Sequence, residues 1–438
     1  MKKILLMAAA FLLSFFTGRA AAQDAADTGA LSLSLHEAME YAVEHNRTIQ
    51  NASLSIRQAE ADRWASIASM LPQVNGSLDY SNYLGYEMSL GGMASIPMPP
   101  YGSLGINAAV AVSAAQIIGA RIGTLSIEMA DVTRKQTEQD VAEQVKMLYY
   151  SALVAGQTVE LLKDNLGTME KLYSLSMKSV EAGVSEKVDA DQIQVQVATI
   201  KASINSAERS LEMVFNSMRL LLNVGFDREI ILTESLEDLI DVEKSLRLLY
   251  DDFIIGNNYS YQLASQGLEM ARRQKNLAGW AYGPTLSGFY QYTARRYFSN
   301  EATMNMTPPN MIGITLSIPI FSSGKNFESL RSAKIEYQKQ QNILSDTEMS
   351  LRIQHRQLKY NLSSAYEMFE TQKKNVEVSQ SVLDNISKKY EHGLSSSLDV
   401  TNAATTFITA QNSYVQAAMD FVNAQIELEK LLNKNYFE

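Results

Sequence analysis

The chain has 438 residues, a net charge of −10 at neutral pH and no cysteine. The chain is mildly acidic and contains no block of basic residues, so its composition argues against nucleic acid as a partner. The absence of cysteine excludes a disulfide framework and leaves no acceptor for an amino-terminal lipid, so any membrane attachment must come from the fold. No run of about 18 apolar residues follows residue 20, which argues against a transmembrane helix beyond that point.

The amino terminus has the pattern of a secretory signal. Lys2 and Lys3 precede a nearly continuous apolar run over 4–16, and three alanines that end at Ala22 follow it. These features predict a signal peptide over 1–22 and therefore an exported protein. An uncleaved membrane anchor is the alternative, although the apolar run is short for a membrane span.

The first structural repeat is predicted to cover 23–225. A helix over 34–71 ends before Pro72, and a β-hairpin over 73–115 follows it. A long helix then runs to a turn at Gly183, and a return helix completes the repeat. Residues 226–244 are rich in acidic side chains and are predicted to form a linker, or equatorial segment, outside the helical bundle.

The second repeat, over 245–438, is predicted to have the same order of elements. A helix over 245–281 precedes a β-hairpin over 285–320. Residues 325–392 contain neither glycine nor proline, so nothing in the backbone chemistry forces a helix to stop there. A helix of that length extends on the order of 100 Å, which is too long for a compact globule.

Gly393 ends that long helix, and a return helix is predicted over 398–433. Apolar residues recur at every seventh position in both helices, with one four-residue shift, at Tyr337, Leu344, Leu351, Leu358, Leu362, Phe369, Val376, Leu383 and Tyr390, then at Val400, Phe407, Tyr414, Phe421 and Leu428. A seven-residue repeat predicts helices that wind around one another, and the shift is a stutter. The sequence therefore predicts a long coiled-coil hairpin.

The same hairpin occurs twice in the chain. A shift of 210 residues places Gly393 on Gly183, and it places the apolar rows on Ala152, Val159, Leu166, Tyr173 and Val180, then on Ala190, Val197, Ile204, Leu211 and Met218. A shared register over both turns indicates an internal duplication. In each half the first helix and the return helix are together about as long as the uninterrupted helix, so two short helices are predicted to stack along one long helix.

The two predicted β-hairpins alternate apolar with small or polar residues, as in Ile312, Ile314 and Leu316 against Gly313 and Thr315. Strands of about ten residues with this pattern are typical of tilted membrane-spanning strands. A sheet packed on a soluble core is the alternative. Four strands cannot close a barrel alone, and an open edge in lipid leaves backbone groups unpaired. If these strands span a membrane, several protomers must share one barrel.

Three stretches carry a resemblance to a known family: LSLHEAMEYAVEHN from Leu33, LSIPIFSSGK from Leu316, and the paired turns GVSEKVD and GLSSSLD. They resemble the outer-membrane efflux protein (TolC) family, and the resemblance covers nearly the whole chain after the signal. It implies a mainly α-helical fold in which long antiparallel coiled coils form a periplasmic α-barrel. It also implies a homotrimer, with four strands from each protomer in one twelve-stranded barrel in outer-membrane lipid.

The resemblance implies a passive duct for the efflux or secretion of small molecules or proteins from a Gram-negative bacterium. Such ducts are joined to an inner-membrane transporter by a periplasmic adaptor. The implied adaptor-docking tips are Gly183, Val184, Ser185, Gly393, Leu394 and Ser395. The implied periplasmic gate consists of Tyr390, Asp399, Asn402 and Asp189.

The sequence departs from the family pattern at the gate. Asn402 stands where the family's prototype has a second aspartate, and Ser395 stands at the position of a gate arginine. The first half also lacks the Pro-x-Phe element of the second. Independently of the family, the two turn glycines are predicted to end helices in a left-handed conformation, and Asp189 and Asp399 to cap the returning helices.

No cofactor, metal site or catalytic group is predicted. Six methionines gather near the hairpin loops, at Met88, Met93, Met98, Met304, Met306 and Met311. Thioethers bind Cu(I), but flexible apolar filling is the commoner role of methionine. The four histidines are scattered over the predicted helices and form no ligand pair, and no nucleophile elbow or phosphate loop is present. An enzyme is therefore not expected.

Two other functions remain open at this level. The first is an exported coiled-coil scaffold or tether in the periplasm, whose strands form only a soluble sheet. The second is a periplasmic hydrolase, which would require a clustered catalytic group. The sequence does not identify the cargo, the adaptor or the pump.

Overall fold

The computed structural model describes residues 29–89, 95–298 and 308–434. The predicted signal over 1–22 lies outside these ranges. Elements of the first half are β1 (Leu31–Leu33), α1 (Leu35–His45), α2 (Arg47–Ala68), β2 (Gln73–Ser81), β3 (Glu87–Ser89), β4 (Ser95–Pro97), β5 (Tyr101–Ser113), α3 (Ala114–Glu181) and α4 (Lys187–Leu222).

A short segment with β6 (Ile230–Leu232), α5 (Leu236–Leu239) and α6 (Val242–Arg247) joins the halves. Two single 3₁₀ turns follow it. Elements of the second half are α7 (Tyr259–Trp280), β7 (Thr285–Tyr297), β8 (Asn310–Ser317), α8 (Lys325–Glu391) and α9 (Ser397–Leu432). Among the described residues, no helix is both long enough and apolar enough to cross a membrane.

The long helices form as predicted. α3 has 68 residues and α8 has 67, and in each half the short helices pack end to end along the long one. Every residue of the predicted heptad rows in α8 and α9 is buried or half-buried. Val400, Phe407, Phe421 and Leu428 are buried, and Tyr414 is half-buried. Burial of this continuous apolar seam stabilises helices that would be too extended to fold alone.

The first helix of each half is shorter than predicted. The helix predicted over 34–71 is interrupted at Asn46, and the one predicted over 245–281 begins only at Tyr259. The cause is the same in both halves. The side-chain oxygen of Asn46 accepts a hydrogen bond from the backbone N–H of Thr48 at 2.8 Å, and that of Asn258 accepts from Ser260 at 3.0 Å. Each asparagine therefore starts a new helix as its N-cap.

The same two asparagines join the first helix of each half to the end of the return helix. The amide of Asn46 donates to the carbonyl of Leu221 at 2.7 Å, and the amide of Asn258 donates to that of Leu431 at 3.3 Å. Both asparagines are buried. The return helices in turn end at Asn223 and Asn433, which both have left-handed backbone conformations. The side-chain amide of Asn223 donates to the carbonyl of His45, and that of Asn433 donates to the carbonyl of Asn257. We call this arrangement the asparagine joint.

Four strands form one antiparallel sheet in the order β2-β5-β7-β8. β5 and β7 pair along their whole length, from Tyr101 opposite Tyr297 to Ser113 opposite Thr285, so the sheet unites the two halves. β8 ends at Ser317 and not at Ile320 as the alternation predicts, because Pro319 has no N–H to donate to a neighbouring strand. One face carries exposed apolar side chains, which include Val74, Leu78, Leu104, Ile106, Leu286, Ile312, Ile314 and Leu316.

The core has three parts that follow the length of the helices. The first surrounds α1, α3 and α4, with Tyr149, Val145 and Leu222 at its centre. The second lies towards the two turns, where α3 and α4 meet α8 and α9. The third joins α8 to α9 around Phe369 and Phe421, whose rings stack at 5.6 Å. An elongated core of this kind fixes the two turns close to each other at one end of the molecule.

Candidate functional site: the two helical turns

The turns at Gly183 and Gly393 have the same backbone geometry. Their φ angles are +72° and +70°, so both adopt the predicted left-handed conformation. The N–H of Val184 donates to the carbonyl of Ser179 at 2.9 Å, and that of Leu394 donates to the carbonyl of Lys389 at 2.8 Å. These bonds close a Schellman motif at the end of each long helix.

Both turns present an apolar side chain to solvent directly after the glycine. Val184 is 81% exposed and Leu394 is 77% exposed. Ser185 and Ser395 follow them in the short bends before the return helices. The structure thus brings all six predicted docking residues to the two turns, and whether they dock an adaptor stays a prediction.

Asp399 caps the helix on which it lies. Its carboxylate accepts hydrogen bonds from the hydroxyl of Ser396 at 2.7 Å, the backbone N–H of Ser396 at 3.0 Å and the hydroxyl of Ser395 at 3.1 Å. The backbone N–H of Asp399 donates to the Ser396 hydroxyl in return, which completes a capping box. The hydrogen bonds from Ser396 and Ser395 lower the pKa of Asp399 below its usual value.

Asp189, which is the equivalent residue in the first turn, has a different partner. Glu186 occupies the N-cap of α4 and makes no side-chain capping bond. The carboxylate of Asp189 instead accepts a hydrogen bond from the hydroxyl of Ser397 in the second turn, at 2.6 Å. The capping role predicted for both aspartates is therefore confirmed in full for Asp399. Asp189 lies in the first turn of α4 as predicted, but its carboxylate bonds to Ser397 and links the two turns.

The two other predicted gate residues flank Ser397 in the chain. Tyr390 is half-buried and packs on the part of the core nearest the turns. Its backbone carbonyl accepts a hydrogen bond from the backbone N–H of Gly393 at 2.9 Å. Asn402 is exposed, one helical turn after Asp399. Their role in a gate stays a prediction.

Sequence reasoning did not single out Ser396 and Ser397. Ser396 could have been found, because Ser-x-x-Asp before an apolar run is a capping-box pattern. Ser397 is buried and bonds to a residue 208 positions earlier in the chain, and no local pattern reveals such a contact.

The structure offers no metal centre in the ranges it describes, where no three His, Asp or Glu side chains cluster suitably. Met88 lies on β3 and Met311 on β8, in separate sheets. Met93, Met304 and Met306 lie outside the described residues. His355 stacks on Phe253 at 5.0 Å and His45 on Tyr41 at 4.1 Å, so these two histidines have packing partners.

The fold consists of two similar coiled-coil hairpins attached to one four-stranded sheet, which defines a class of elongated proteins. The sequence profile of the family described as outer membrane efflux protein matches residues 38–224 and 254–434, and the chain belongs to this family. The resemblance found in the sequence is confirmed. The chain is accordingly an outer-membrane channel protein of a Gram-negative bacterium, with its helical part in the periplasm, and not an enzyme.

Two relatives illustrate the range of the family. The chain is 24% identical over 319 residues to the alkaline protease secretion protein AprF of Pseudomonas aeruginosa, a match that covers 70% of this chain and 64% of AprF. It is 21% identical over 419 residues to the probable efflux pump outer membrane protein TtgC of Pseudomonas putida, covering 92% of this chain and 84% of TtgC.

Solved structures support the same fold. The outer membrane protein VceC of Vibrio cholerae superposes with a TM-score of 0.75 at 16% identity, over 92% of this chain and 97% of VceC. The MtrE outer membrane channel of Neisseria gonorrhoeae superposes with a TM-score of 0.73 at 18% identity, over 94% of this chain and 93% of MtrE.

Proposed function

We propose that this chain is one protomer of a homotrimeric channel-tunnel that carries small molecules or proteins out of the cell. The duct is passive and is coupled to an inner-membrane pump through a periplasmic adaptor. Family membership supports export and favours a channel over a periplasmic tether. The main support for the trimer is a helix contact that occurs once within the protomer and whose duplicate is missing there.

Within one protomer, α3 of the first half packs against α9 of the second. The side chain of Gln139 donates to the carbonyl of Lys430 at 3.1 Å, and the Lys430 ammonium lies 2.6 Å from the Glu143 carboxylate. Internal duplication requires an equivalent contact between α8 and α4, shifted by 210 residues. The described chain has no comparable packing between these two helices.

The residues at the equivalent positions are apolar and exposed. Met349 and Ile353 on α8 correspond to Gln139 and Glu143, and they are 62% and 64% exposed. Leu220 on α4 corresponds to Lys430 and is 82% exposed. Large apolar side chains exposed in register on two helix faces are typical of an interface. We therefore pair Ile353 with Leu220 of the partner subunit, which gives a head-to-tail contact that can close a ring.

The ion pair in the contact between the halves has no equivalent in the proposed contact between subunits. Lys146 and Glu429 form a largely buried ion pair at 2.6 Å, whereas Arg356 and Arg219 stand at the equivalent positions. Arg219 binds Glu212 of its own helix at 2.7 Å, so its charge is already paired. The proposed interface between subunits is consequently more apolar than its counterpart within the protomer.

The sheet gives a second reason for a ring. In the described chain β2 and β8 each have a single neighbour, so both edges of the sheet are open. Open edges are not tolerated in lipid, because unpaired backbone groups cost several kcal/mol each there. Three protomers joined edge to edge would form a closed barrel of twelve strands.

Cysteine cross-linking tests the ring, and the absence of native cysteine makes the experiment clean. Ile353→Cys combined with Leu220→Cys should give disulfide-linked species that end at the trimer. A matched control is Ile353→Cys with Val188→Cys, which is also exposed but lies about 50 Å away along α4. Absence of cross-linking in the first pair, or a ladder that continues beyond three chains, would contradict the proposal.

We also propose that the two turns dock the adaptor, with the exposed side chains of Val184 and Leu394 as its main contacts. Leu394→Asp should abolish cross-linking to the adaptor while it leaves the trimer intact, because a carboxylate does not desolvate in an apolar groove. Tyr250→Asp is the control, since Tyr250 is 87% exposed in the segment between the halves. Unchanged export by the Leu394→Asp protein would refute docking at this turn.

A further inference from the structure

A large cavity lies where the helices meet the sheet. It has a volume of about 960 Å³ and is bordered by the start of α3, the end of α7 and the start of α8. Its polar and aromatic lining includes Arg121, Lys275, Lys334, Trp280, Tyr282 and Tyr337. We call it the junction pocket.

The junction pocket concentrates positive charge in an acidic protein. Three cationic side chains line it, no aspartate or glutamate does, and the chain as a whole has a net charge of −10. Among the described residues, Arg121, Lys275 and Lys334 have no carboxylate partner. By contrast, the nearby Arg272 and Arg273 on α7 both bind Glu269. Three unneutralised cations around one cavity favour an anionic ligand.

Aromatic side chains complete the pocket. The ammonium of Lys275 lies over the ring of Tyr337, 4.2 Å from its centre, which holds this cation at the cavity wall. Trp280 and Tyr282 are 50% and 45% exposed. Exposed Trp and Tyr collect where a membrane meets water, because an apolar ring with a polar tip suits that boundary.

The position of the pocket along the chain matches that boundary. Only four residues separate the end of α7 at Trp280 from the start of β7 at Thr285, and α3 begins directly after β5. If the sheet is inserted in the membrane, the pocket lies at the level of the lipid headgroups on the periplasmic side.

A second, apolar groove lies on the sheet one level further from the helices. It has a volume of about 290 Å³, and Ala108, Val110, Gly288 and Ile312 contribute to it. The groove is on β5, β7 and β8, which are the strands continuous with the helices that form the junction pocket. A Cβ added at Gly288 would be in ordinary van der Waals contact with Val110, at 3.8 Å, so the floor of the groove is closely packed at this glycine.

We propose that the junction pocket binds the headgroup phosphate of an anionic phospholipid, with an acyl chain of that lipid in the groove on the sheet. Arg121, Lys275 and Lys334 would contact the phosphate, and Trp280 and Tyr282 the glycerol region. A free phosphate offers the same charge, but it would leave the apolar groove on the connected strands without an occupant. This site rests on the proposed insertion of the sheet and is independent of the adaptor and the gate.

Tryptophan fluorescence tests the site in the intact channel. The chain has two tryptophans, so Trp64→Phe leaves Trp280 in the pocket as the only reporter. The protein is reconstituted in phosphatidylcholine vesicles that contain equal fractions of either brominated phosphatidylglycerol or brominated phosphatidylcholine. We expect the brominated anionic lipid to quench Trp280 more strongly.

Removal of the pocket charges distinguishes binding in the pocket from a general attraction of anionic lipid to the protein. The triple variant Arg121→Gln, Lys275→Gln and Lys334→Gln should lose the preference, by roughly fivefold for each charge removed. Lys171→Gln, Lys373→Gln and Lys374→Gln removes the same charge from exposed positions in the helices and should keep the preference.

Three results would overturn the site. Equal quenching by both lipids means that the sheet is inserted but that the pocket does not select a headgroup. Absence of quenching by either lipid means that Trp280 does not face lipid, so the pocket does not hold a lipid headgroup even if the sheet is inserted. If glycerol 3-phosphate in detergent changes the Trp280 emission but no lipid preference exists, the ligand is a soluble anion.

Discussion

The two helical turns have the same backbone and use equivalent residues differently. Both have a left-handed glycine and the same Schellman bonds, and an aspartate lies six residues after each glycine. Asp399 is held within its own turn by Ser395 and Ser396, whereas Asp189 has a glutamate at the capping position and bonds to Ser397 across the gap. Loss of one capping serine therefore leaves a carboxylate available to join the two hairpins.

The asparagine joint is the opposite case, because both halves keep it in full. Asn46 and Asn258 start the helices, bond the ends of the return helices and are buried in the same way. At the joint a buried carbonyl must find a donor in each half, which favours a side chain that can cap a helix and donate at the same time. At the exposed turns many side chains are tolerated, so the two halves can differ.

The largest effect is expected at the asparagine joint. Asn46→Ala and Asn258→Ala should each reduce the free energy of opening of the joint by about 3 kcal/mol, because each removes an N-cap and leaves a buried carbonyl without its donor. Hydrogen exchange of the peptides around the joint measures this. Asn51→Ala, at an exposed position of α2, is the control. A clear difference between the two halves would mean that the joints are not equivalent.

The contact between the turns is expected to be the next in strength. Ser397→Ala should weaken the attachment of one turn to the other by about 2 kcal/mol, since the hydroxyl donates to a charged group. A double-mutant cycle with Asp189→Ala should give a coupling energy of that size, and a cycle with Asp399→Ala one near zero.

If the contact between the turns keeps the periplasmic entrance narrow, Ser397→Ala should also raise the conductance of the channel in planar bilayers. Thr405→Val serves as the control, because the Thr405 hydroxyl bonds only to its own helix, at the carbonyl of Thr401. An unaltered conductance would limit Ser397 and Asp189 to a structural role.

A smaller and equal effect is expected at the two glycines. Gly183→Ala and Gly393→Ala should each reduce the stability of their turn by about 1 kcal/mol, the cost of a left-handed conformation with a side chain. An added Cβ would meet no atom within 4 Å at either position, so no steric clash contributes. Gly167→Ala, inside α3, should instead stabilise the helix slightly. Thermal unfolding of the three variants ranks them.

The smallest effect concerns the protonation of Asp399. Because the hydrogen bonds from Ser396 and Ser395 lower its pKa in the folded protein, the capping contribution is complete above its usual value of 3.8 and is lost as the pH falls through the lower folded value. Hydrogen exchange in the first turn of α9, corrected for the intrinsic rate, should therefore increase on acidification below about pH 4. The Asp399→Asn protein should not show this increase, and an unchanged wild type would contradict the assignment.

Much of the fold followed from patterns that are local in the chain. The seven-residue apolar rows, the two turn glycines and the alternation in the strands each predict a helix, a turn or a sheet face from a few neighbouring residues. The breaks at Asn46 and Asn258 were missed because apolar spacing continues on both sides of each asparagine. The hydrogen bonds from the asparagine amides to the carbonyls of Leu221 and Leu431 stabilise these breaks, and they depend on the tertiary structure.

Periodicity and repetition are properties of the chain alone, and they are enough to predict a duplicated rod of coiled helices with strands attached. The bond between Asp189 and Ser397 and the cavity that Arg121, Lys275 and Lys334 share are visible only in the folded molecule. Those groups are separated by long stretches of chain. Their distances depend on how the helices pack and on where the sheet joins them, which no local pattern specifies.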